Sequence, residues 1–156
     1  MLRLGELLAR GGADVACGGY GGVMEAVARG ATSSGGAATG YTVLGWNMRT
    51  PNRYLTRDAP CNDLYDRLRH LIEDSAALIA LGGGIGTLAE VALAWNHLYM
   101  ELIEPRPLLV VGKDWSRAIG MLGELLEIDH AHRVHVETCA GVEDAVRLLT
   151  KRGILK

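Results

Sequence analysis

Leu78-Ile79-Ala80-Leu81-Gly82-Gly83-Gly84-Ile85-Gly86-Thr87-Leu88-Ala89-Glu90 decides the fold of this chain. An apolar run short enough for a buried strand stops in glycines, a threonine follows, and a helical pattern opens with Glu90 in its first turn. Strand, glycine loop and helix start together offer bare backbone N–H groups and the positive end of a helix dipole to an anion. Glycine lets the backbone come close to a ligand. Thr87 is expected to cap the helix and to offer its hydroxyl to a phosphate oxygen. An ordinary tight turn with an N-cap would read the same way, so the neighbouring segments must decide.

On the N-terminal side, Asp63–Asp74 is a predicted helix with Leu64, Leu68, Leu71 and Ile72 inward and Arg67, Arg69 and His70 on other faces. It leads into the strand Ala76–Leu81, and the helix Thr87–Tyr99 leaves it. A second junction of the same kind stands earlier. The strand Ala13–Cys17 runs into Gly18-Gly19-Tyr20-Gly21-Gly22, and a helix then passes through Val23, Met24, Val27 and Ala28 to Arg29-Gly30. Residues 2–10 form an amphipathic helix through Leu2, Leu4, Leu7 and Leu8, ended by Gly11-Gly12. Thr39–Trp46, Pro107–Val111 and Val134–Thr138 are further strands; Trp115–Leu126 and Val142–Leu149 are further helices. The polar stretch Asn47–Asn62, with Pro51, Pro60, Arg49, Arg53 and Arg57, reads as a long functional loop.

Strands alternating with helices predict an α/β fold, a parallel sheet of about five or six strands with helices on both faces. Ligands in such folds sit at the carboxyl ends of the strands. Both glycine junctions are expected there, on one edge. The chain is expected to be one domain over residues 1–156, opening on a helix where a nucleotide-binding domain opens on a strand; its first strand is therefore missing or truncated.

Of the 156 residues 49% are apolar and 22% charged, a globular profile, and the net charge of −2 gives no field for a polyanion such as nucleic acid. Cys17, Cys61 and Cys139 are odd in number and contain no CxxC pair, which argues against a disulfide framework or zinc knuckle and suits a cytoplasmic setting. No apolar run reaches the roughly 18 residues of a membrane span, and no signal peptide opens the chain. The 21 glycines cluster at 11–12, 18–22, 35–36 and 82–86, between periodic segments, as loops with backbone work to do.

The segment Gly82-Gly83-Gly84-Ile85-Gly86-Thr87-Leu88-Ala89-Glu90 resembles the PGGxGTxxE motif of the LOG (LONELY GUY) family, and Gly18–Ala26, GGYGGVMEA, resembles its earlier glycine motif. Arg106-Pro107 before a buried strand and the Gly-Lys-Asp-Trp turn after it fall in the matching order. The resemblance implies a Rossmann-like three-layer α/β/α domain, a homodimer, and cleavage of a nucleoside 5′-monophosphate at its N-glycosidic bond to free base and ribose 5-phosphate. It also implies catalytic roles for Arg67, which falls on the arginine of the family's M-x-x-R-K segment, and for Glu90, the motif glutamate. Gly82 stands in place of the motif proline, Leu64 of the methionine and Leu68 of the lysine. The GVMEA wording is closer to relatives described as molybdenum-cofactor carriers, which implies a second function class, a binding or carrier protein without turnover. Many relatives are labelled lysine decarboxylases. A pyridoxal enzyme needs a Schiff-base lysine, and Lys113, Lys151 and Lys156 are the only lysines, none of them in a glycine junction.

Gly19, Gly21, Gly22, Gly83, Gly84, Gly86 and Thr87 are the expected phosphate or nucleotide contacts; neither a metal nor a resident cofactor is expected. Glu90, three residues after Thr87, also fits a capping box. Arg67, flanked by Asp66 and Arg69, taken alone is a solvated helix charge. Glu25 is either a ribose or base contact or a surface charge. Arg49, Arg53 and Arg57 either close over a phosphate or lie solvated in their loop. His130, His132 and His135 lack the spacing of a metal site. Trp95, His97 and Tyr99 belong to the core or to a dimer interface. In either class the partner is a nucleotide or another phosphate-bearing small molecule, and neither nucleic acid nor a membrane is expected.

Overall fold

The computed structural model describes residues 1–46 and 49–156. Its elements run α1 (Leu2–Arg10), β1 (Val15–Cys17), α2 (Val23–Ser33), β2 (Ala38–Val43), β3 (Arg57–Cys61), α3 (Leu64–Glu73), β4 (Leu78–Ala80), α4 (Ile85–Tyr99), β5 (Leu108–Val111), α5 (Lys113–Leu125), α6 (His130–Arg133), β6 (Glu137–Cys139) and α7 (Val142–Lys151). Every strand pair is parallel. The fold is α/β, as the alternation predicts, and Rossmann-like, as the family resemblance implies. Among the described residues six strands pair as two ladders of three, β1-β2-β3 and β4-β5-β6, where one sheet was expected. The described chain forms two compact units, Met1–Ser75 with Thr150–Lys156, and Ala76–Leu149, with one ladder in each. The outer strands are β1 and β3 in one ladder and β4 and β6 in the other.

In the first unit, α1 and α2 cross in backbone contact. A Cβ on Gly5 would stand 2.1 Å from the Val27 carbonyl oxygen, and one on Gly30 would stand 2.0 Å from that of Leu2. Glycine inside a helix costs about 0.5–1 kcal/mol relative to alanine; the close crossing, which buries Leu4, Leu8, Val27, Ala28 and Ala31, offsets it. The chain's tail returns to this unit, where the Lys156 amide donates to the Gly11 carbonyl at 3.0 Å.

The stretch 47–62 departs from the expected loop. Asn47 and Met48 lie outside the described residues, but Arg57–Cys61 is strand β3, in register with β2 from Thr39↔Arg57 to Val43↔Cys61. Only its last residue is buried. β3 lies at the ladder's edge, where polar side chains face water and Pro60 needs no inward amide partner.

In the second unit β5, Leu108-Leu109-Val110-Val111, is the central strand and nearly wholly buried, the apolar run that a parallel strand covered on both faces requires. The four-residue α6, bearing His130 and His132, was hidden in sequence by its shortness.

Candidate functional site

Each glycine junction lies at the carboxyl end of its strand. In the first unit, β1 ends at Cys17 and Gly18–Gly22 leads into α2. A Cβ on Gly18 would stand 1.8 Å from Arg67 Nη2 and 2.7 Å from Met24 Sδ, so only glycine leaves room for the guanidinium. Arg67 corrects the expectation of a solvated charge: it is 7% exposed, while Leu64, expected inward, is 51% exposed. Its Nε donates to the Tyr41 carbonyl at 2.8 Å and its guanidinium carbon is 5.9 Å from the Tyr20 ring centroid. Gly19 has φ +80° and lies against Thr42 and Gly40, a backbone that other residues adopt only under strain.

Two residues outside the expected set hold this loop in place. Asn52 Nδ2 donates to the carbonyls of Gly19 and Tyr20, both at 3.1 Å, its own amide donates to Gly19 O at 2.8 Å, and its Oδ1 accepts from the Tyr54 amide. The loop carbonyls are thereby turned to Asn52. Tyr41 fixes α3 on β2: its carbonyl takes Arg67, its hydroxyl donates to Asp74 Oδ2 at 2.8 Å, and its ring stacks on His70 at 5.2 Å. The hydrogen bond from His70, then that from Tyr41, holds the Asp74 carboxyl below its ordinary range. Burial, then the bond to Asp74, pushes the Tyr41 hydroxyl up to about 12. Pro51-Asn52 is a turn signal in the sequence, but its reach to a loop more than thirty residues earlier is not encoded in spacing.

Arg49, Arg53 and Arg57 take separate partners in the first unit. The Arg49 guanidinium lies over the Trp46 ring, Arg53 lies over Tyr54 and bonds its hydroxyl, and Arg57 begins β3.

In the second unit β4 runs through Leu81 into Gly82–Gly84 and α4. The helix begins earlier than expected: its N-cap is Gly84, with no side-chain cap bond, so Thr87 is not the cap. Thr87 Oγ1 is instead folded onto the loop, where a Cβ on Gly83 would stand 2.1 Å from it. Gly84 and Gly86 have open space where a side chain would be, and the first turn carries no acid. Glu90 becomes the sixth helical residue, beyond reach of a capping box. At helical spacing it shares a face with Thr87, Val91 and Ala94, and it is half-buried. The Leu81 carbonyl, one residue past the end of β4, accepts from Trp115 Nε1 at 2.8 Å, a bond that ties the start of the loop to α5. Lys113, exposed, follows Gly112 directly at the β5–α5 junction, so one lysine does stand beside a junction glycine.

Among the described residues no group of His, Cys, Asp and Glu is arranged to hold a metal ion. His132 bonds Asp129 at 2.7 Å and stacks on Tyr99 at 4.2 Å, while its carbonyl accepts from Trp95 Nε1; the cluster docks α6 on α4. Trp95 is core, whereas Tyr99 is partly exposed. No described helix is long and apolar enough to cross a membrane.

Residues 1–101 match the sequence profile of the SLOG cluster4 family. An uncharacterized protein of Archaeoglobus fulgidus is 38% identical over 102 residues, 59% of this chain, and the match spans 60% of that protein's length. Three solved structures share the fold. TM1055, a structural-genomics target, has 26% identity and a TM-score of 0.75 over 96% of this chain and 85% of its own. The molybdenum cofactor binding protein of the phototrophic bacterium Rippkaea orientalis has 24% identity and a TM-score of 0.76 over 97% and 84%. The molybdenum cofactor carrier protein of Chlamydomonas reinhardtii has 21% identity and a TM-score of 0.72 over 96% and 83%.

Proposed function

The chain belongs to the SLOG cluster4 family, and from that membership and its glycine junctions we propose that it binds a phosphate-bearing small molecule, a nucleotide or a pterin-type cofactor. The observation that carries this is the start of α4. A glycine N-cap without a side-chain bond, an acid-free first turn and open space at Gly84 and Gly86 leave the first amides of the helix to a ligand. Thr87 Oγ1, folded over Gly83, adds a hydroxyl donor. Similarity to proteins described as binding or carrying molybdenum cofactor supports the cofactor form of the ligand.

Catalysis is the second reading, and one observation favours it. Glu90 lies outside the capping position that would have explained it, on the face of α4 that carries Thr87. In a phosphoribohydrolase of the LOG type, Glu90 would stabilise an oxocarbenium-like ribosyl centre and Arg67 would hold phosphate or ribose. The protein is proposed to act as a homodimer, with the outer face of α4 (Ile85, Leu88, Tyr99) towards a second copy; these side chains are exposed, and the helix is apolar on more than its inward face. A monomeric mass by light scattering at micromolar concentration would exclude that assembly. Neither nucleic acid nor a membrane is proposed as a partner.

Binding of nucleoside 5′-monophosphates and release of free base, followed in parallel, test both readings. Gly86→Gln and Gly86→Glu form an isosteric pair at a position with room for either side chain. Binding kept in Gln and lost in Glu is the result expected for an anion at the helix start; equal binding would refute it. If base is released, Glu90→Gln should slow release by about two to four orders of magnitude, the scale of one catalytic group. Equal rates would leave Glu90 no role in chemistry.

A further inference from the structure

The first unit carries a cleft of about 210 Å³ lined by Leu2, Gly22, Glu25, Ala26, Arg29 and Tyr54. Pockets for whole drug-sized ligands run about 300–1,000 Å³. This one has room for one ring system and not for a complete nucleotide.

Its chemistry is mixed in a particular way. Leu2 and Ala26 are apolar walls, and the half-buried Tyr54 ring also carries the Arg53 guanidinium, 5.0 Å from its centroid and bonded to its hydroxyl. Arg29 stands four residues after Glu25 on α2, where a Glu–Arg pair would ordinarily close, yet its guanidinium lies over the Tyr54 ring, 5.6 Å from the centroid. Among the described ion pairs none includes Glu25, although the Arg53 guanidinium lies near enough to feel its charge. The carboxylate leans back towards the loop, with Oε2 3.8 Å from where a Gly21 Cβ would be. A half-buried carboxylate of this kind accepts N–H donors.

We propose that this cleft is a heterocycle subsite, in which Glu25 accepts two parallel N–H bonds from a 2-amino-4-oxo ring of the pterin or guanine type and Tyr54 packs on the ring face. The ring N–H and the exocyclic amino group of that class match two carboxylate oxygens as a guanidinium does. Adenine, with a ring acceptor beside its amino group, does not. Arg29 is exposed, so its guanidinium is free to move to the outer face of the bound ring, where planar stacking suits it. The inference rests on the proposed binding of a nucleotide or pterin-type ligand and selects among ring systems.

Binding of free pterin, guanosine 5′-monophosphate and adenosine 5′-monophosphate to the full chain tests it, by pterin fluorescence and by calorimetry. Wild type is expected to bind pterin and the guanine nucleotide in preference to the adenine nucleotide. Glu25→Gln should weaken both preferred ligands roughly ten- to hundredfold, the loss of a hydrogen bond to a charged group. Tyr54→Ala should weaken them too, while Tyr54→Phe, which keeps the ring, should not. Nucleotide binding that is blind to the base and unchanged in Glu25→Gln would overturn the subsite and leave the proposed function standing. Failure of wild type to bind any of the three would overturn both.

Discussion

Replacing Gly18 by alanine tests whether the first glycine junction exists to seat Arg67. The residue has no positive φ, so alanine brings no backbone strain and the whole effect is steric. The new Cβ falls 1.8 Å from Arg67 Nη2 and 2.7 Å from Met24 Sδ. The guanidinium must retreat by more than about 1 Å to reach ordinary contact, and it is buried and bonded to the Tyr41 carbonyl at 2.8 Å. Losing a hydrogen bond to a charged group costs about 1.5–3 kcal/mol, and overpacking a core costs about 1–3 kcal/mol. The two overlap, so Gly18→Ala should destabilise by about 2–4 kcal/mol, a fall in Tm of roughly 5–15 °C for a chain of this length. In an Arg67→Ala background the same substitution should cost less than about 1 kcal/mol, because the remaining neighbour is the flexible end of a methionine. Urea denaturation of the four proteins of this cycle reads the difference. Equal losses in both backgrounds would refute the seating of Arg67 by Gly18.

Asn52→Asp should destabilise more than Asn52→Ala, since it turns a carboxylate on the Gly19 and Tyr20 carbonyls where the alanine only loses their donor; urea midpoints rank the two. Asp74 is held below its ordinary range by His70 and Tyr41, so its contribution is complete above about pH 4 and disappears as pH falls through its folded value; Asp74→Asn should flatten that acid limb of the stability profile. Tyr41, pushed up from 10.0 to about 12, contributes fully below pH 10.0 and loses that contribution as pH rises towards 12, a loss that Tyr41→Phe should remove from the alkaline limb. Cys61 and Cys139 are buried, and burial holds the Cys61 thiol up, so a thiol reagent at pH 8 should label Cys17 first and reach the other two only on unfolding.

The longer helices and the strands β1, β2, β4 and β5 were legible because their signals are apolar and periodic, whereas α6 was too short to register and the strand expected over Val134–Thr138 begins only at Glu137. β3 was not legible, because an edge strand with polar residues and a proline satisfies none of those patterns and exists through its register with β2. Arg67 is more instructive. It lies one residue before Leu68 and four before Leu71, so the spacing puts it on the inward side of α3. The assumption that a charge faces water overrode the spacing. What makes the burial tolerable is the Tyr41 carbonyl, the Tyr20 ring and the space at Gly18, three features brought together only by folding.

The start of α4 shows the other limit. Glycine backbones do not announce where a helix begins, and a shift of the N-cap from Thr87 to Gly84 moves Glu90 from a capping position to the helix interior and clears the first turn of acid. The same comparison separates the two glycine loops chemically. The first turn of α2 holds Glu25, and that of α4 holds no acid. A carboxylate at a helix start already occupies the positive end of the dipole that an anion would use. Two loops that look alike as glycine motifs are therefore suited to opposite ligand groups: α4 to a phosphate, and the neighbourhood of Glu25 to N–H donors. Placing an acid at the start of α4 tests the division. Gly86→Glu should abolish phosphate-dependent binding, because it gives α4 the acid that Glu25 already gives α2. Inorganic phosphate competing equally well against nucleotide in wild type and in Gly86→Glu would show that the acids do not set the preference.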